Sequence, residues 1–322
     1  MSSFSRGLDT IFGAAEVLAE RVSHLTGGRF RILVYPAGEL VPAFEVLESV
    51  QKGTAQMGHT ASYYYIGKNP ALAFDTTVPF GLTARQFNGW VYHGGGMDLL
   101  RSLFADYNVI NFPGGNTGVQ MGGWFNREVN AVSDLRGLSM RIPGMGGRVM
   151  DRLGVAVQQI PGGEIYPALE RGAIDAAEWV GPYDDEKLGF AQVARYYYYP
   201  GWWEPGANLS FYVSRAAWNQ LPSHYQHAVA VAAAEANLDM LSRYDAVNPA
   251  SFRRLVEGGT EVRAFPRDVM DAAFASAEAL LQEGTADPEY AKIFDAYTQW
   301  RQDATAWFGT SEQTFADYMH GH

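Results

Sequence analysis

There is no cysteine in the 322 residues, which excludes a disulfide framework, a thiolate metal site and a catalytic thiol. That absence also suits an exported bacterial protein. Basic residues are scarce: 24 Lys and Arg stand against 35 Asp and Glu, a formal net charge of -11. A field of that sign does not suit nucleic acid, whose backbone needs a basic face, or an anionic membrane surface. An anion would have to be held by a local site working against the field of the whole molecule. No apolar run approaches the roughly 18 residues that a spanning helix needs. The start, Met1-Ser2-Ser3-Phe4, lacks the basic, apolar and small-residue succession of a secretory leader. A helical pattern follows within a few residues, so a signal segment and a first strand are expected to belong upstream.

Three catalytic or cofactor signatures are incomplete. His93-Gly94-Gly95-Gly96 has the form of an oxyanion loop, but no Gly-x-Ser-x-Gly elbow supplies a nucleophile. Gly144-Met145-Gly146-Gly147-Arg148-Val149 has a valine where a dinucleotide fingerprint needs its third glycine, and there is no Gly-Lys-Ser/Thr phosphate loop. His224 and His227 lie three apart on a predicted helix; a solvated face is the better reading than a metal site.

What is present is a chain 47% hydrophobic and 18% charged, long enough for about two domains. The pattern predicts a helix over 9–24 stopped at Gly27-Gly28, a strand at 30–35, a helix ending at Gly53 and a strand at 54–60. This alternation is α/β. Strands are also expected at 109–112 and 119–125, with a glycine-rich loop at 114–118 between them. Beyond Ser210 the pattern is helical, over 214–246 and again over 266–315. Gly38-Glu39-Leu40-Val41-Pro42-Ala43-Phe44-Glu45 is echoed by Gly163-Glu164-Ile165-Tyr166-Pro167-Ala168-Leu169-Glu170. Each copy leads through a helix and a glycine into a strand, which suggests two lobes built on a related unit. The expected limits are 1–121 with 205–250 for the first lobe, 122–204 for the second, and 251–322 for C-terminal helices packed on both.

Arg141 sits in a short apolar run between Gly137 and Pro143, where a buried guanidinium would need acceptors for its five donors. Two readings stand: an ion pair with an acid of its own lobe, or a clamp for a ligand carboxylate, whose two oxygens match two parallel N–H groups. Gly144, Gly146 and Gly147, before a helix expected from Arg148, would add backbone donors. Glu178 ends the strand of the second echo copy, and ligands in open α/β sheets lie outside the carboxyl ends of strands. Tyr63-Tyr64-Tyr65 ends the matching strand of the first. Glu204 follows a run of aromatics, 196–203, which reads equally as a domain-interface core. Glu178, Glu204 and a neutral oxygen such as that of Gln120 would together make an all-oxygen site for a hard cation.

These stretches resemble the extracytoplasmic solute receptors of tripartite ATP-independent periplasmic (TRAP) transporters, the DctP-like binding proteins, and among them the subgroup that takes 2-oxo acids such as pyruvate. The resemblance runs from Ser2 almost to the C-terminus. It rests on Leu8 to Gly13, Gly38 to Pro42, Pro113 to Phe125, Glu178 to Lys187 and Tyr196 to Glu204. It implies a two-lobed periplasmic binding fold (type II-like) with a hinge and a long C-terminal helical region, located in the periplasm. The function it implies is delivery of a monocarboxylate to permease membrane subunits, without catalysis. It implies that Arg141 pairs with the substrate carboxylate, that Tyr64 and Gln120 touch the ligand, and it brings Asn116 of the same motif into the binding set. It further implies that Glu178, Glu204, Gln120 and the main-chain carbonyl of Trp179 hold a cation bridging to the substrate, sodium first and calcium as the alternative. A homodimer through the terminal helices is also implied. A metal-dependent enzyme acting on a 2-oxo or 2-hydroxy acid, or a lactate receptor, is the alternative.

Overall fold

The computed structural model describes residues 1–321. In chain order its strands are β1 (Met57–Thr60), β2 (Val109–Asn116), β3 (Trp124–Phe125), β4 (Ser139–Arg141), β5 (Ala156–Gln158), β6 (Ala176–Ala177), β7 (Tyr196–Tyr199), β8 (Asn208–Ser214) and β9 (Glu261–Ala264). They form two sheets, one per lobe: a three-stranded antiparallel sheet in the order β1-β8-β2, and a six-stranded mixed sheet in the order β5-β4-β6-β3-β7-β9. In the second sheet β4 runs parallel to both β5 and β6, so the carboxyl ends of β4 and β6 fall side by side.

The chain crosses between the sheets after β2 and returns before β8. The two crossings run together: Thr117 N–H donates to the Ala207 carbonyl (3.1 Å), Gln120 N–H to that of Glu204 (3.1 Å) and Gly201 N–H to that of Gln120 (2.9 Å). A Cβ on Gly201 would lie 2.6 Å from the Gln120 carbonyl oxygen, so this close approach requires glycine. The helix Ser223–Glu257 straps the lobes from behind, packing on helix Gly13–Leu25 and β2 on one side and on helix Pro182–Leu188 on the other. No helix among the described residues is long and apolar enough to cross a membrane.

The echo segments behave alike at their ends. The first leads into helix Val46–Gln51 and the second lies within helix Gly162–Glu170; each helix is followed by a left-handed glycine, Gly53 (φ 74°) and Gly172 (φ 67°), and then by β1 and β6 respectively. Several expectations are corrected. Residues 30–35 form no strand; they are half-exposed and extended, and at their carboxyl end the Tyr35 carbonyl accepts from Ser2 N–H (2.9 Å). The place beside β1 is taken by the first residues, with Ser2 bridged to His59 and Ser3 N–H donating to the His59 carbonyl (2.9 Å). Of 119–125 only Trp124 and Phe125 are strand, because the preceding amides go to three different partners: Gln120 to Glu204, Met121 to Val180 and Gly122 to Tyr198. The expected loop at 114–118 is strand as far as Asn116, with a register shift between Pro113 and Asn116. The helix after Arg141 begins at Gly144, not Arg148, and its glycines serve packing: a Cβ on Gly146 would lie 2.6 Å from Trp203 Cβ, and Gly147 N–H is spent on the Pro143 carbonyl (3.2 Å). The helical region beyond Ser210 is broken at Leu221-Pro222, and β9 interrupts it again to extend the second sheet.

Candidate functional site

Arg141 ends β4, opposite Ala177 of β6, and is 1% exposed. The apolar run around it makes the strand and buries it; what compensates the charge is the next residue of the neighbouring strand. Arg141 Nη1 donates to the Glu178 carbonyl oxygen (2.6 Å) and to Glu178 Oε2 (2.9 Å), and Nε donates to the Ile160 carbonyl (3.1 Å). The guanidinium also lies 5.1 Å from the centre of the Trp179 ring, within cation–π range. The ion pair inside the lobe is therefore present. It occupies the Nη1 side of the fork, and the Nη2 edge takes no part in these bonds.

The first lobe and the crossing supply the facing wall. Tyr63 and Tyr64 stand in the single turn Ser62–Tyr65 that follows β1, and Tyr63 OH donates to Glu204 Oε2 (3.5 Å). Gln120 lies against Glu204 and donates through Nε2 to Thr117 Oγ1 (3.0 Å). Tyr64 is braced by Phe44, ring centres 4.9 Å apart. Tyr63, Tyr64, Thr117, Gln120, Arg141 and Trp179 line one cavity between the lobes, of about 260 Å³. Only a small, narrow ligand suits such an enclosure.

Glu178 and Glu204, both almost fully buried, stand behind residues that line this cavity, Glu178 bonded to Arg141 and Glu204 to Tyr63 and Gln120. Burial pushes Glu204 up to about 8, against the pull of Arg141 and the Tyr63 and Gln120 bonds. Burial also pushes Glu178 well above the usual carboxylate range, and the nearby Glu204 adds to this, while Arg141 opposes it. Burial, the largest single influence, works against the Arg141 cation, but Glu178 with Tyr64, Tyr63 and Glu204 together outweigh it and the guanidinium is held more firmly charged. Two buried oxygens are without a hydrogen-bond partner, Glu178 Oε1 and Gln120 Oε1. Orphaned buried acceptors are costly, and a pair of carboxylates with an amide oxygen is the donor set of a hard cation. These residues fit one. Among the described residues no group of three or more His, Asp or Glu is placed to hold a metal, so a cation here would rest on two carboxylates completed by neutral oxygens.

The raised acids carry a sign. Each keeps its proton in the folded chain at pH values where the unfolded chain, with an ordinary value of 4.5, has lost it. Cation-free protein thus loses stability as pH rises from about 4.5 to about 8. A cation entering at pH 7 displaces the protons these acids still hold, so we expect release of up to two protons per ion bound and tighter binding as pH approaches 8. Calorimetry in two buffers of different ionisation enthalpy reads it as a buffer-dependent heat.

Asn116 does not line the cavity. Its Oδ1 accepts from Gly118 N–H (2.9 Å) and its Nδ2 donates to the Gly206 carbonyl (3.4 Å), which ties the two crossings together. His224 lies tilted against Tyr225 at the start of the strapping helix, ring centres 4.4 Å apart, and is not among the residues lining the cavity. Sequence reading missed Thr117, although it stands three residues before Gln120, and gave Tyr63 no partner. It also missed Phe4 and Ile11, which line the same cavity from the N-terminal segment.

Two lobes on separate sheets, a double crossing between them and an enclosed cavity lined by a guanidinium define a solute receptor. The chain belongs to the bacterial extracellular solute-binding proteins of family 7, the DctP family, whose model matches residues 1–287; this is a family of receptors and not of enzymes. It is 52% identical over 318 residues, 98% of this chain and 87% of the relative, to a monocarboxylate 2-oxoacid-binding periplasmic protein of Nostoc sp.. Among solved structures it is similar to a TRAP transporter solute-binding protein of Bordetella bronchiseptica RB50, a mixed-occupancy dimer with copurified calcium and picolinate in one active site. That similarity has a TM-score of 0.98 at 47% identity, covering 99% of this chain and 96% of that one. It is also similar to a TRAP periplasmic solute-binding protein of Colwellia psychrerythraea with bound calcium and pyruvate, TM-score 0.96 at 40% identity, covering 98% and 97%. A third, from Pseudoalteromonas atlantica T6c, holds sodium and pyruvate, TM-score 0.95 at 40% identity with the same coverage.

Proposed function

We propose that this chain is a periplasmic receptor that encloses a small monocarboxylate 2-oxo acid of the pyruvate type and hands it to the membrane subunits of a TRAP-type permease. The observation that carries the proposal is a buried Arg141 on an enclosed cavity, with the buried acids Glu178 and Glu204 bonded to the cavity-lining Arg141, Tyr63 and Gln120. The relatives support it: two hold pyruvate and the Nostoc protein is named for 2-oxo acids. Picolinate, held by the Bordetella protein, shares with pyruvate a second donor atom one carbon from the carboxylate, so both can chelate one ion.

In this reading Arg141 takes the substrate carboxylate through its free Nη2 edge, and Gln120 and Tyr64 fix the orientation. Asn116 supports them from behind by holding the crossings in register. Glu178, Glu204, the Gln120 amide oxygen and the Trp179 main-chain carbonyl would hold sodium or calcium, which when bound supplies positive charge beside the substrate's head. Two ionised acids and one substrate carboxylate against one arginine leave a formal -2, which a divalent ion balances; sodium leaves one negative charge for neighbouring dipoles. The lobes we assign to 1–121 with 205–250 and to 122–204, with β9 attached to the second lobe's sheet. Two copies would pair through the C-terminal helices, where Trp307 and Phe315 are 64% and 66% exposed.

Thermal unfolding against a panel of 2-oxo, 2-hydroxy and dicarboxylic acids tests the function. Pyruvate at one hundred times its dissociation constant is expected to stabilise the fold by about 2.7 kcal/mol. A panel in which only dicarboxylates or 2-hydroxy acids raise the midpoint overturns the reading.

A further inference from the structure

The first lobe buries a carboxylate that does not line the cavity. Asp75 stands in the short helix Ala73–Thr76 and is 1% exposed. Donors from three separate segments converge on it: Ser62 Oγ and Ser210 Oγ (2.7 Å) donate to Oδ2, and Asn111 Nδ2 donates to Oδ1 (3.0 Å). Its main-chain carbonyl accepts from Asn208 Nδ2 (2.8 Å). Burial pushes the carboxyl above its ordinary value of 3.8, opposed by those three bonds and by Arg101. An ionisable group costs more to bury than an apolar side chain of its size, so filling the core does not account for it. What a carboxylate adds is an acceptor-only end point on which several donors can meet.

The three segments differ in what they carry. Asn208, Ser210 and Tyr212 alternate along β8 and so face one side of its sheet, and Asn111 of β2 stands opposite Tyr212. These two strands run into and out of the crossings, where Asn208 is paired with Asn116. Ser62, by contrast, begins the turn Ser62–Tyr65, which brings Tyr63 and Tyr64 to the cavity. Its one proton goes to Asp75, so its oxygen takes the proton of the Tyr212 hydroxyl. Thr76, the next residue of the helix, accepts from Tyr63 N–H through Oγ1 (3.3 Å). Two successive side chains therefore hold the backbone from which the two tyrosines project, and Asp75 ties that backbone to the strands of the crossings.

We infer that Asp75 is a positioning residue for the binding site: through Ser62 it sets the Tyr63 and Tyr64 turn against β2 and β8, and so places Tyr64 on the substrate and the Tyr63 hydroxyl on Glu204. The inference rests on the proposed function and adds to it a residue that touches no ligand.

Ser62 and Ser210 separate positioning from support, because each gives one hydrogen bond to the same carboxylate oxygen and only Ser62 belongs to the turn. Pyruvate affinity is measured calorimetrically at saturating calcium, and the thermal midpoint is measured without pyruvate. Asp75→Asn and Ser62→Ala are each expected to weaken pyruvate binding about tenfold, the size of one hydrogen bond to a charged group. Ser210→Ala is expected to lower the midpoint as much as Ser62→Ala does while pyruvate stays within about twofold of wild type. The double variant Asp75→Asn with Ser62→Ala should bind no more weakly than the weaker single one, since both act along one route. Should Asp75→Asn fold poorly, the two serine variants carry the test by themselves. Ser62→Ala within about twofold of wild type, equal affinity losses in the two serine variants, or summed losses in the double variant would each reduce Asp75 to a core anchor and overturn the inference. Wild-type protein that binds no pyruvate overturns the proposed function instead.

Discussion

Arg141→Ala is expected to weaken pyruvate binding by about 2 to 5 kcal/mol, from roughly thirtyfold to several thousandfold, measured calorimetrically at saturating cation. The size follows from the double duty of the guanidinium. Through Nη1 it is the cationic partner of Glu178, and in the proposed reading Nη2 takes the ligand. Truncation leaves both carboxylates in a buried setting with the bound ion as their main compensation. Glu178, already pushed above its ordinary range, would then hold its proton to still higher pH, so the loss of fold stability is smaller than the loss of affinity. Arg141→Lys separates the roles: one ammonium is a point charge and cannot serve Glu178, the Ile160 carbonyl and a ligand together. Affinity in the lysine variant should fall between wild type and alanine. An alanine variant that binds pyruvate within threefold of wild type would reduce Arg141 to an internal ion pair.

That ambiguity was already visible in the sequence, and the structure shows why both readings had force. An arginine inside Ser139-Met140-Arg141-Ile142 and an acid after Ala176-Ala177 are legible as strand ends. Parallel pairing of β4 with β6 sets Arg141 opposite Ala177, so the residue after it, Glu178, must meet the guanidinium. Glu204 was less legible. It belongs to no regular element, and the return crossing, where the Glu204 carbonyl accepts from Gln120 N–H, brings it there. The partners Tyr63 to Glu204 and Thr117 to Gln120 join segments whose meeting depends on the crossing, which no periodicity encodes. Strands β3 and β6, two residues each, are too short to carry a pattern, and β9 lies half-exposed between helices. Residues 30–35 erred the other way: a strand-like run was left without a ladder because the N-terminal residues took the neighbouring place.

Removing the cation should have an effect as large as removing the arginine, and by a different route. Without an ion the cavity keeps two acids of raised affinity for protons beside one guanidinium; at pH 7 they share protons, and the Glu178 and Gln120 oxygens stay unpartnered. A substrate carboxylate then enters a site that holds one positive group already engaged by Glu178. Protein stripped with a chelator at low sodium is therefore expected to lose pyruvate binding by about a hundredfold or more, as expected when a buried charge is left unpaired. Restoring calcium or sodium singly reports which ion the site takes, because the formal balance reaches zero only with the divalent one. Glu204→Gln is the accompanying variant. It keeps the shape and a donor set facing Tyr63 and Gln120 but removes one negative charge, so it should lower calcium affinity more than sodium affinity and reduce the heat of proton release described above, leaving the share of Glu178. Full pyruvate affinity in chelator-stripped wild-type protein would leave Arg141 as the sole anion partner and remove the cation from the mechanism.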